Sequence, residues 1–364
     1  MLLDGRKLGD GGIGVYTENL IAGLLEVGGV DITVISKHQT PPNAHYSSRV
    51  SWLYDPATPY SLDEIVRMPR RIDFSSYDIF HAPHYVLPFR IPIPTVVTVH
   101  DIIHVTHPER FYYPWIARAL ISSAVRRAEG VLAVSRHTRQ GIIDLTGIGQ
   151  DKVRFVPNAI APRVVQPSHI PLHNHESPYF LAVLSNNKPH KGANDLLLAY
   201  REFRDKKLWE GVLPRCPKLV LAGYGTAEMM LSSSGNSLVD EVDGLHIAGA
   251  LSDEELRATM TRATALIVPS LVEGFCLPAL EAQACGTPVI CRPVPALQEL
   301  VCEQDVVAGD FSVNALATAI AEGLRTGVAA PRKVNPKHLE LFSCKHVASL
   351  VKSEYERVLS RRRS

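Results

Sequence analysis

The sequence contains no apolar run of about 18 residues, the length at which a segment becomes a candidate membrane span. Its first residues do not follow the signal-peptide pattern, so we expect no signal peptide. It also lacks a charge imbalance, because 38 basic residues face 37 acidic ones, so the overall charge does not attract nucleic acid. These absences predict a cytoplasmic protein without a nucleic-acid partner.

Cysteine pairs in the C-x-x-C spacing are also absent, and all six cysteines fall in the second half of the chain. A chain of 364 residues can bury a core that needs no disulfide bonds. We therefore expect free thiols in a reducing compartment.

The sequence does have many short, unbroken apolar runs, and these alternate with helical segments. Examples are DITVIS, TVVTVHD and GVLAVS in the first half and YFLAVLS, KLVLAGYG and ALIVPS in the second. Unbroken runs suit parallel strands that helices cover on both faces. The alternation is typical of βαβ units, so we predict an α/β protein with two doubly wound parallel sheets in tandem.

The length of the chain favours two domains. Residues 162–178 carry several prolines and histidines and no apolar period, which is typical of a linker. We predict an N-terminal domain at 1–165, a linker at 166–178, a C-terminal domain at 179–345 and a helix at 346–364 that returns towards the first domain. Ligand loops should follow the carboxyl ends of the strands, and a cleft between two such sheets is the default site.

The stretch GDGGIG, residues 9–14, matches the G-x-G-x-x-G pattern of dinucleotide-binding loops. Such a site needs a strand before the loop, a helix after it and a carboxylate at the end of the next strand. MLL and VYTENLIAGLLEVGG supply the strand and a helix that starts near Val15. The next strand, DITVIS, runs on into Lys37 and His38. The third requirement fails, and the pattern alone leaves open which phosphate the loop holds.

Two glutamates flank a predicted helix start in ALIVPSLVEGFCLPALEAQACGTPVI. Glu273 lies on the loop after a strand, and Glu281 lies inside a helix that begins near Leu277. A helix start offers backbone N–H groups to phosphate oxygens. The groups concerned are those of Phe275, Cys276 and Leu277. The two carboxylates could accept hydrogen bonds from sugar hydroxyls, and the alternative is that both are solvated surface charges.

The run from Pro269 to Pro288 resembles the E-x7-E signature of the retaining glycosyltransferases of family 4. Five further segments resemble segments of this family in the same order: HDIIHVTHPERF, AVSRHTRQGI, VRFVPNAI, SNNKPHKGANDLLLAY and LVLAGYG. The resemblance extends from Gly9 to about Val351. It implies the GT-B fold, in which two Rossmann-like domains face each other across a cleft, and it implies a nucleotide-sugar donor.

The sequence departs from the family pattern at two places. Cys276 replaces the second glycine of the usual E-G-F-G-L-P. Ser185 and Asn186 stand where the basic loop usually carries an arginine, so Lys188 and Lys191 remain as its cations. Bidentate recognition of a phosphate by arginine is therefore missing from this loop.

The resemblance assigns roles to residues of the first half. Gly11, Gly12 and Gly14 would let the backbone approach the donor's phosphate and sugar, because a residue without Cβ permits close approach. His100, at the end of TVVTV, would contact the donor sugar and support the positive charge that develops at its anomeric carbon.

In the second half, Lys188 and Lys191 lie between a strand and a helix, where fixed cations would stabilise a departing diphosphate. The resemblance implies that Glu273 holds the donor sugar, that Glu281 holds the ribose, and that the loop around His246 and Ile247 passes near the base. It implies neither a metal nor a cofactor, because the lysines and the helix start neutralise the diphosphate.

Four further histidines are weaker candidates. The pair His104 and His107 invites a zinc interpretation, but H-x-x-x-H without the intervening glutamate is a poor metal motif. His81 and His84 in HAPH are better interpreted as histidines that line the cleft or are satisfied locally.

The segment FYYPWIARALISSAVRRAEG places aromatic residues ahead of Arg126 and Arg127. It could face an acceptor or touch a membrane surface, and packing of the helix against the protein is the favoured interpretation. The predicted partners are thus a nucleotide sugar, a glycan or lipid-linked acceptor and, as the open alternative, the periphery of a membrane.

The resemblance implies retaining transfer of a hexose in polysaccharide biosynthesis. The H-D-I-I-H and N-K-P-H-K variants look most like the branch that contains many mannosyltransferases, which favours GDP-mannose as the donor. Two alternatives stay open: a GT-B nucleotide-sugar epimerase, and a non-catalytic scaffold that binds a nucleotide sugar.

Overall fold

The computed structural model describes residues 1–39, 46–161, 178–184, 188–226, 242–329 and 334–363. Contacts divide the chain into two compact units, Met1–Ala161 with Glu340–Ser364, and Pro162–Leu339. Sequence placed these boundaries near 165 and 345. The predicted linker at 166–178, apart from Pro178, lies outside the described residues, and so do Ser185 and Asn186.

The first unit is built on a parallel sheet with the strand order β3-β2-β1-β4-β5-β6-β7. Its strands are β1 Leu2–Asp4, β2 Thr33–Ser36, β3 Ser51–Tyr54, β4 Phe80–Ala82, β5 Thr95–Val99, β6 Gly130–Ala133 and β7 Val153–Phe155. Its helices before the second unit are α1 Gly11–Val27, α2 Met68–Arg71, α3 Ile103–Thr106, α4 Tyr113–Arg127 and α5 Arg136–Thr146. Every residue of β5 is buried, as expected for a central parallel strand covered on both faces.

The second unit repeats this plan with the strand order β10-β9-β8-β11-β12-β13, also parallel. Its strands are β8 Tyr179–Val183, β9 Lys218–Ala222, β10 Leu245–Gly249, β11 Ala265–Val268, β12 Val289–Cys291 and β13 Val306–Val307. Its helices are α6 Ala193–Asp205, α7 Asp253–Arg262, α8 Leu277–Ala284, α9 Pro295–Gln298, α10 Val313–Ala329 and α11 Pro336–Glu340. The prediction of two doubly wound parallel sheets is confirmed.

The last helix, α12 Cys344–Arg363, packs on α1 within the first unit. Gly23 of α1 makes this approach possible: a Cβ at that position would lie 2.2 Å from the carbonyl oxygen of Cys344 and 2.8 Å from Cβ of Ala348. Val347, Ala348 and other apolar residues of α12 join the same buried cluster as α1 and β1. The C-terminal segment is therefore part of the core of the first unit.

Candidate active site

An ion pair joins two loops at the carboxyl edge of the second sheet. Nζ of Lys191 lies 2.8 Å from Oε1 of Glu273, and Oγ of Ser270 donates to the same oxygen at 2.7 Å. Lys191 follows β8 and Glu273 follows β11, and these two strands are neighbours in the sheet. Glu273 is 8% exposed, so the pair is largely withdrawn from water. Two residues predicted from separate motifs thus lie in contact.

The backbone that leads into α8 has an unusual conformation. Cys276 is the N-cap of this helix and has φ of 81° and ψ of 77°, a left-handed conformation that favours glycine. Burial raises the pKa of its thiol, so the side chain is a neutral, packed group. Phe275 is buried beside it, Leu277 is the first residue of the helix, and Glu281 is half-buried in its second turn. The prediction that this helix begins near Leu277 is confirmed.

The lysine loop ends in a turn that requires glycine. Lys188 precedes a single 3₁₀ turn, Pro189–Lys191, and its carbonyl accepts from the N–H of Lys191 at 2.9 Å. Gly192 then has φ of 69°, and a Cβ there would lie 2.3 Å from the carbonyl oxygen of Pro269. The loop of Lys191 is therefore packed directly against the end of β11.

His246 and Ile247 lie in β10, which spans Leu245–Gly249, and not in a loop as predicted. His246 is exposed, and β10 is an edge strand of the sheet among the described residues. The expected loop begins only after Gly249, whose φ of 72° ends the strand. The strand includes all of LHIAG, so it extends through the residues that were predicted to form the loop.

The three glycines of the first unit differ in their surroundings. Helix α1 begins at Gly11 and not near Val15, so all three lie in its first turns. Gly11 and Gly12 are exposed, and a Cβ on either would have open space around it. Gly14 is buried, and a Cβ there would lie 2.7 Å from the carbonyl oxygen of Lys7. Position 14 thus requires glycine because the protein's own loop packs against it, whereas Gly11 and Gly12 leave room for a ligand.

Lys37, which stands where a ribose-binding carboxylate would be expected, has a local partner. Its Nζ lies 2.8 Å from Oδ2 of Asp10, the N-cap of α1. The contact joins the end of β2 to the glycine loop. The end of β2 therefore presents a paired lysine, and not a carboxylate, beside the glycine loop.

His100 follows β5, and its environment keeps the ring neutral. Burial lowers its pKa to about 4, although the carbonyl of Pro83, which Nε2 contacts at 3.0 Å, opposes this shift. A carbonyl can only accept, so Nε2 carries the proton and Nδ1 holds a lone pair. The rings of Tyr16 and His100 pack nearly perpendicular to each other, with 4.8 Å between their centroids. His100 is therefore suited to accept a hydrogen bond from a hydroxyl through Nδ1.

A buried hydrogen-bond chain supports Tyr16. Its hydroxyl contacts Oγ1 of Thr98 at 2.9 Å, and Thr98 contacts Nε2 of His81 at 2.8 Å. Nδ1 of His81 contacts the hydroxyl of Tyr355, in α12, at 2.6 Å. Burial lowers the pKa of His81 to about 3. His81 is thus a satisfied core histidine and not a ligand.

A cluster of buried charges at the end of β1 was not predicted from the sequence. Nη2 of Arg6 lies 2.5 Å from Oδ2 of Asp4 and 2.6 Å from Oε1 of Glu64, and all three side chains are buried. Burial alone would raise the pKa of Asp4, but Arg6 holds it well below its usual range. Asp4, Glu64 and His84 could together ligate a metal ion. Arg6 already occupies the position between the two carboxylates that such an ion would take.

This cluster holds a half-exposed tyrosine. The N–H of Tyr60 donates to Oε2 of Glu64, and Tyr60 has φ of 65°, which is strained for a residue with a side chain. Nζ of Lys7 lies 5.0 Å from the centre of the Tyr60 ring, and the ring of Tyr85 lies 6.2 Å away. Tyr60, Tyr85 and Lys7 form what we call the tyrosine patch, at the carboxyl edge of the first sheet.

His104 and His107 have separate local contacts. Nδ1 of His104 contacts the hydroxyl of Tyr85 at 3.0 Å, and His107 is exposed beside Thr106. Neither belongs to a metal-ligand cluster within the described ranges.

Apolar residues just before α4 and in its first turn are not packed against the protein. Phe111 is 89% exposed and Trp115 is 77% exposed, with Ile116 exposed beside them. The favoured interpretation of this segment as helix packing is wrong for these three residues. It holds for the face of α4 that buries Ala117, Ile121, Ala124 and Val125, and for Arg127, whose guanidinium donates to the carbonyls of Leu87 and Pro88 at 2.6 and 2.7 Å.

Family models match both halves of the chain. The model described as Glycosyltransferase Family 4 matches residues 10–164, and the model described as Glycosyl transferases group 1 matches residues 167–334. Together they cover most of the sequence.

Curated relatives carry related names. The O-antigen chain mannosyltransferase RfbU of Salmonella typhimurium is 26% identical over 83% of this chain and 84% of its own length. The O-antigen chain mannosyltransferase B of Escherichia coli is 30% identical over 70% of this chain and 66% of its own. An MMP alpha-(1->4)-mannosyltransferase of Mycolicibacterium hassiacum is 29% identical over 65% of this chain. The match spans only 56% of that third relative.

Solved structures share the fold at lower identity. A sucrose-phosphate synthase from Thermosynechococcus elongatus superposes with a TM-score of 0.74 over 99% of each chain, at 19% identity. HepE from Anabaena, solved with UDP-glucose, superposes with a TM-score of 0.71 over 98% of this chain and 99% of its own, at 15% identity. The fold is thus that of the GT-B glycosyltransferases. With both family models and the mannosyltransferase relatives in agreement, the chain belongs to the glycosyltransferases of family 4, in their mannosyltransferase-like branch.

Proposed function

We propose that this glycosyltransferase moves a hexose from a nucleotide-sugar donor to a hydroxyl group with retention of the anomeric configuration and without a metal ion. The observation that carries the proposal is the contact of Lys191 with Glu273 ahead of the start of α8. A cation, a carboxylate and a helix N-terminus at one sheet edge suit a sugar diphosphate. The carboxylate accepts hydrogen bonds from the sugar hydroxyls, and the cation and the helix N-terminus bind the phosphate oxygens.

Bond breaking moves negative charge onto the diphosphate. Lys188, Lys191 and the N–H groups that lead into α8 stabilise that charge, and the helix start lowers the barrier because its dipole is fixed in advance. The acceptor hydroxyl attacks on the face that the diphosphate leaves, forming the new glycosidic bond as the old one breaks. The departing phosphate takes the acceptor's proton, so no carboxylate is needed as a base. Protein catalysis is then positioning and electrostatics.

The remaining donor contacts follow from the same assignment. Glu273 accepts from hydroxyls of the sugar, and Glu281, in the second turn of α8, accepts from the ribose. His246 and Ile247 border the base through backbone groups. Nδ1 of His100 accepts from a sugar hydroxyl, and the exposed backbone at Gly11 and Gly12 approaches the donor. Gly14 is not among the proposed donor contacts, because the packing of its own loop explains why this position is a glycine.

The names of the relatives support mannose as the sugar and GDP-mannose as the donor, since O-antigen chain mannosyltransferases are among them. The acceptor is then a glycan or a lipid-linked glycan. The tyrosine patch is a surface of the first unit that suits it, because aromatic rings with a nearby ammonium and hydroxyl match the apolar faces and hydroxyls of a pyranose.

A panel of GDP-, UDP- and ADP-sugars tests the proposal. Purified protein is incubated with each donor, with and without a glycan extract and with and without EDTA. Acceptor-stimulated turnover of one donor, unchanged by EDTA, with the same anomeric configuration in donor and product by NMR, is the expected result. Turnover without an acceptor that changes the sugar indicates the epimerase, and tight binding without turnover indicates the scaffold.

Lys191→Met is the matched variant for this assay. It keeps the length of the side chain and removes the charge, so turnover should fall by at least about 100-fold, as for loss of one fixed charge at the reacting group. Lys206→Met, which loses an exposed pair with Glu202 on α6, is the control and should turn over normally. Normal turnover by the Lys191 variant would remove this residue from the site.

We also propose that the exposed aromatic segment contacts a membrane surface. Phe111, Trp115 and Ile116 project beside Arg110 and Arg118, a pairing of apolar and basic groups that suits the interface of an anionic bilayer. Within the described residues, no helix is both long enough and apolar enough to cross a membrane. Trp115→Ser with Phe111→Ser should abolish co-sedimentation with anionic vesicles, and unchanged co-sedimentation would refute the contact.

A further inference from the structure

Arg292 lies at the end of β12 with its side chain completely buried. Its Nη1 donates to the carbonyl oxygen of Pro269 at 3.0 Å, and its Nη2 contacts Oδ2 of Asp195 at 2.8 Å. Because the guanidinium has no exposed surface, it cannot itself meet a ligand. Its function must be sought in the groups that it holds.

Those groups belong to the two loops that carry the ion pair. Pro269 is the last residue before the loop of Ser270 and Glu273, and Asp195 lies in the first turn of α6, immediately after the loop of Lys191. One planar group therefore reaches the base of both loops. Lysine could not replace it, because a single ammonium on a flexible chain lacks the fork that meets two acceptors at once.

Further contacts tighten the same junction. The N–H of Leu271 donates to the carbonyl of His190 at 2.8 Å, which joins the two loops directly. A Cβ on Gly192 would lie 2.3 Å from the carbonyl oxygen of Pro269 and 3.3 Å from Nη1 of Arg292. The space between the loops is thus fully used, and a displacement of Arg292 would move both of them.

Burying a guanidinium is costly, and its pair with Asp195, whose side chain is 37% exposed, offsets only part of that cost. Nε of Arg292 has no hydrogen-bond partner among the described residues, which adds to that cost. An apolar residue would suit the strand end better if stability were the only requirement. The advantage of arginine at this position is that it fixes the distance between the loop of Lys191 and the loop of Glu273.

We propose that Arg292 is a positioning residue that fixes the separation of Lys191 and Glu273 and so sets the rate of the transfer step. The inference rests on the proposed function of those two residues. Arg292 fixes the ion pair before the donor arrives, so that neither loop has to reorganise as charge develops on the leaving diphosphate.

The test compares Arg292→Lys with Arg204→Lys. Arg204 lies at the other end of α6 and contacts the carbonyl oxygen and the carboxylate of Asp243 at 2.5 and 2.6 Å, so it loses the same types of contact far from the ion pair. We expect kcat of Arg292→Lys to fall at least about tenfold with donor KM changed less than about threefold. Arg204→Lys should leave both constants unchanged. Equal losses in the two variants, or a loss confined to KM, would overturn the proposal.

A double-mutant cycle with Glu273→Gln separates positioning from a general loss of structure. If Arg292 acts through the ion pair, its substitution should reduce kcat by less than about twofold once Glu273→Gln is present, because neighbours that act as a unit are not additive. Losses that multiply would show that Arg292 acts independently of Glu273, contrary to the proposal.

A readout that needs no turnover distinguishes this inference from the proposed function. Competitive acetylation followed by mass spectrometry compares the reactivity of Lys191 with that of Lys188 in the same sample. Lys191 should react at least about threefold faster in Arg292→Lys than in wild type, and unchanged reactivity would overturn the positioning role. If wild type transfers no sugar from any donor, the proposed function fails while this measurement still decides the role of Arg292.

Discussion

At the scale of single residues, Cys276 occupies a left-handed backbone conformation that the family pattern gives to glycine. A side chain in this conformation costs about 1–2 kcal/mol. The glycine variant at this position should therefore be more stable to unfolding than the alanine variant, the reverse of the usual order. Cys276→Gly should be more stable than Cys276→Ala by about 1 kcal/mol in urea unfolding, although alanine is normally favoured. A more stable alanine variant would show that the left-handed conformation is absent.

Tyr60 also has a left-handed backbone conformation, and the buried cluster of Asp4, Arg6 and Glu64 holds it there. Strain that surrounding structure maintains is typical of functional sites. If the tyrosine patch binds the acceptor, Tyr60→Ala should raise the acceptor KM about tenfold and leave donor KM unchanged. Tyr54→Ala, which removes an equally exposed ring from the edge strand β3, is the control. Equal acceptor KM values for the two variants would exclude Tyr60 from the acceptor site.

At the scale of elements, the packing of α1 on α12 depends on the absence of a side chain at Gly23. Gly23→Ala should destabilise the protein by about 3 kcal/mol, the upper end for overpacking, because the Cβ would meet backbone that cannot move aside. Glycine to alanine within a helix normally stabilises by about 1 kcal/mol, so the sign itself is diagnostic. Gly12→Ala, in the open first turn of α1, should not destabilise. Equal unfolding free energies for the two variants would contradict the close approach.

At the scale of the whole molecule, stability should fall in mild acid because His81 is buried in its neutral form. Its pKa is lowered to about 3 in the folded protein and returns to about 6.5 on unfolding. The unfolded state therefore binds the extra proton between these values. The contribution of His81 is fully present above pH 6.5 and is lost on acidification at about 1.4 kcal/mol per pH unit.

Urea unfolding at pH 7 and pH 5 measures this loss. Wild type should lose about 2 kcal/mol more than His81→Gln between the two values, since carboxylates elsewhere act equally in both proteins. Parallel pH dependences would show that His81 is not kept neutral by burial.

The two parallel sheets and the order of their elements could be predicted from the sequence, because unbroken apolar runs and helix caps are local patterns with local causes. It also determined the start of α8 and the candidacy of Lys191 and Glu273, which follow from residue types at strand ends. Three facts needed the folded chain: Lys191 contacts Glu273, Gly14 packs against its own loop, and His246 lies in a strand.

The buried charges show most clearly why the rest could not be predicted. Arg6 meets Glu64 across 58 positions of sequence, and Arg292 meets Asp195 across 97. A lone arginine at the end of an apolar run carries no local sign of its partner. Its role is fixed only when parallel strands bring distant loops to one edge of a sheet, where the desolvation of one charge forces the presence of another.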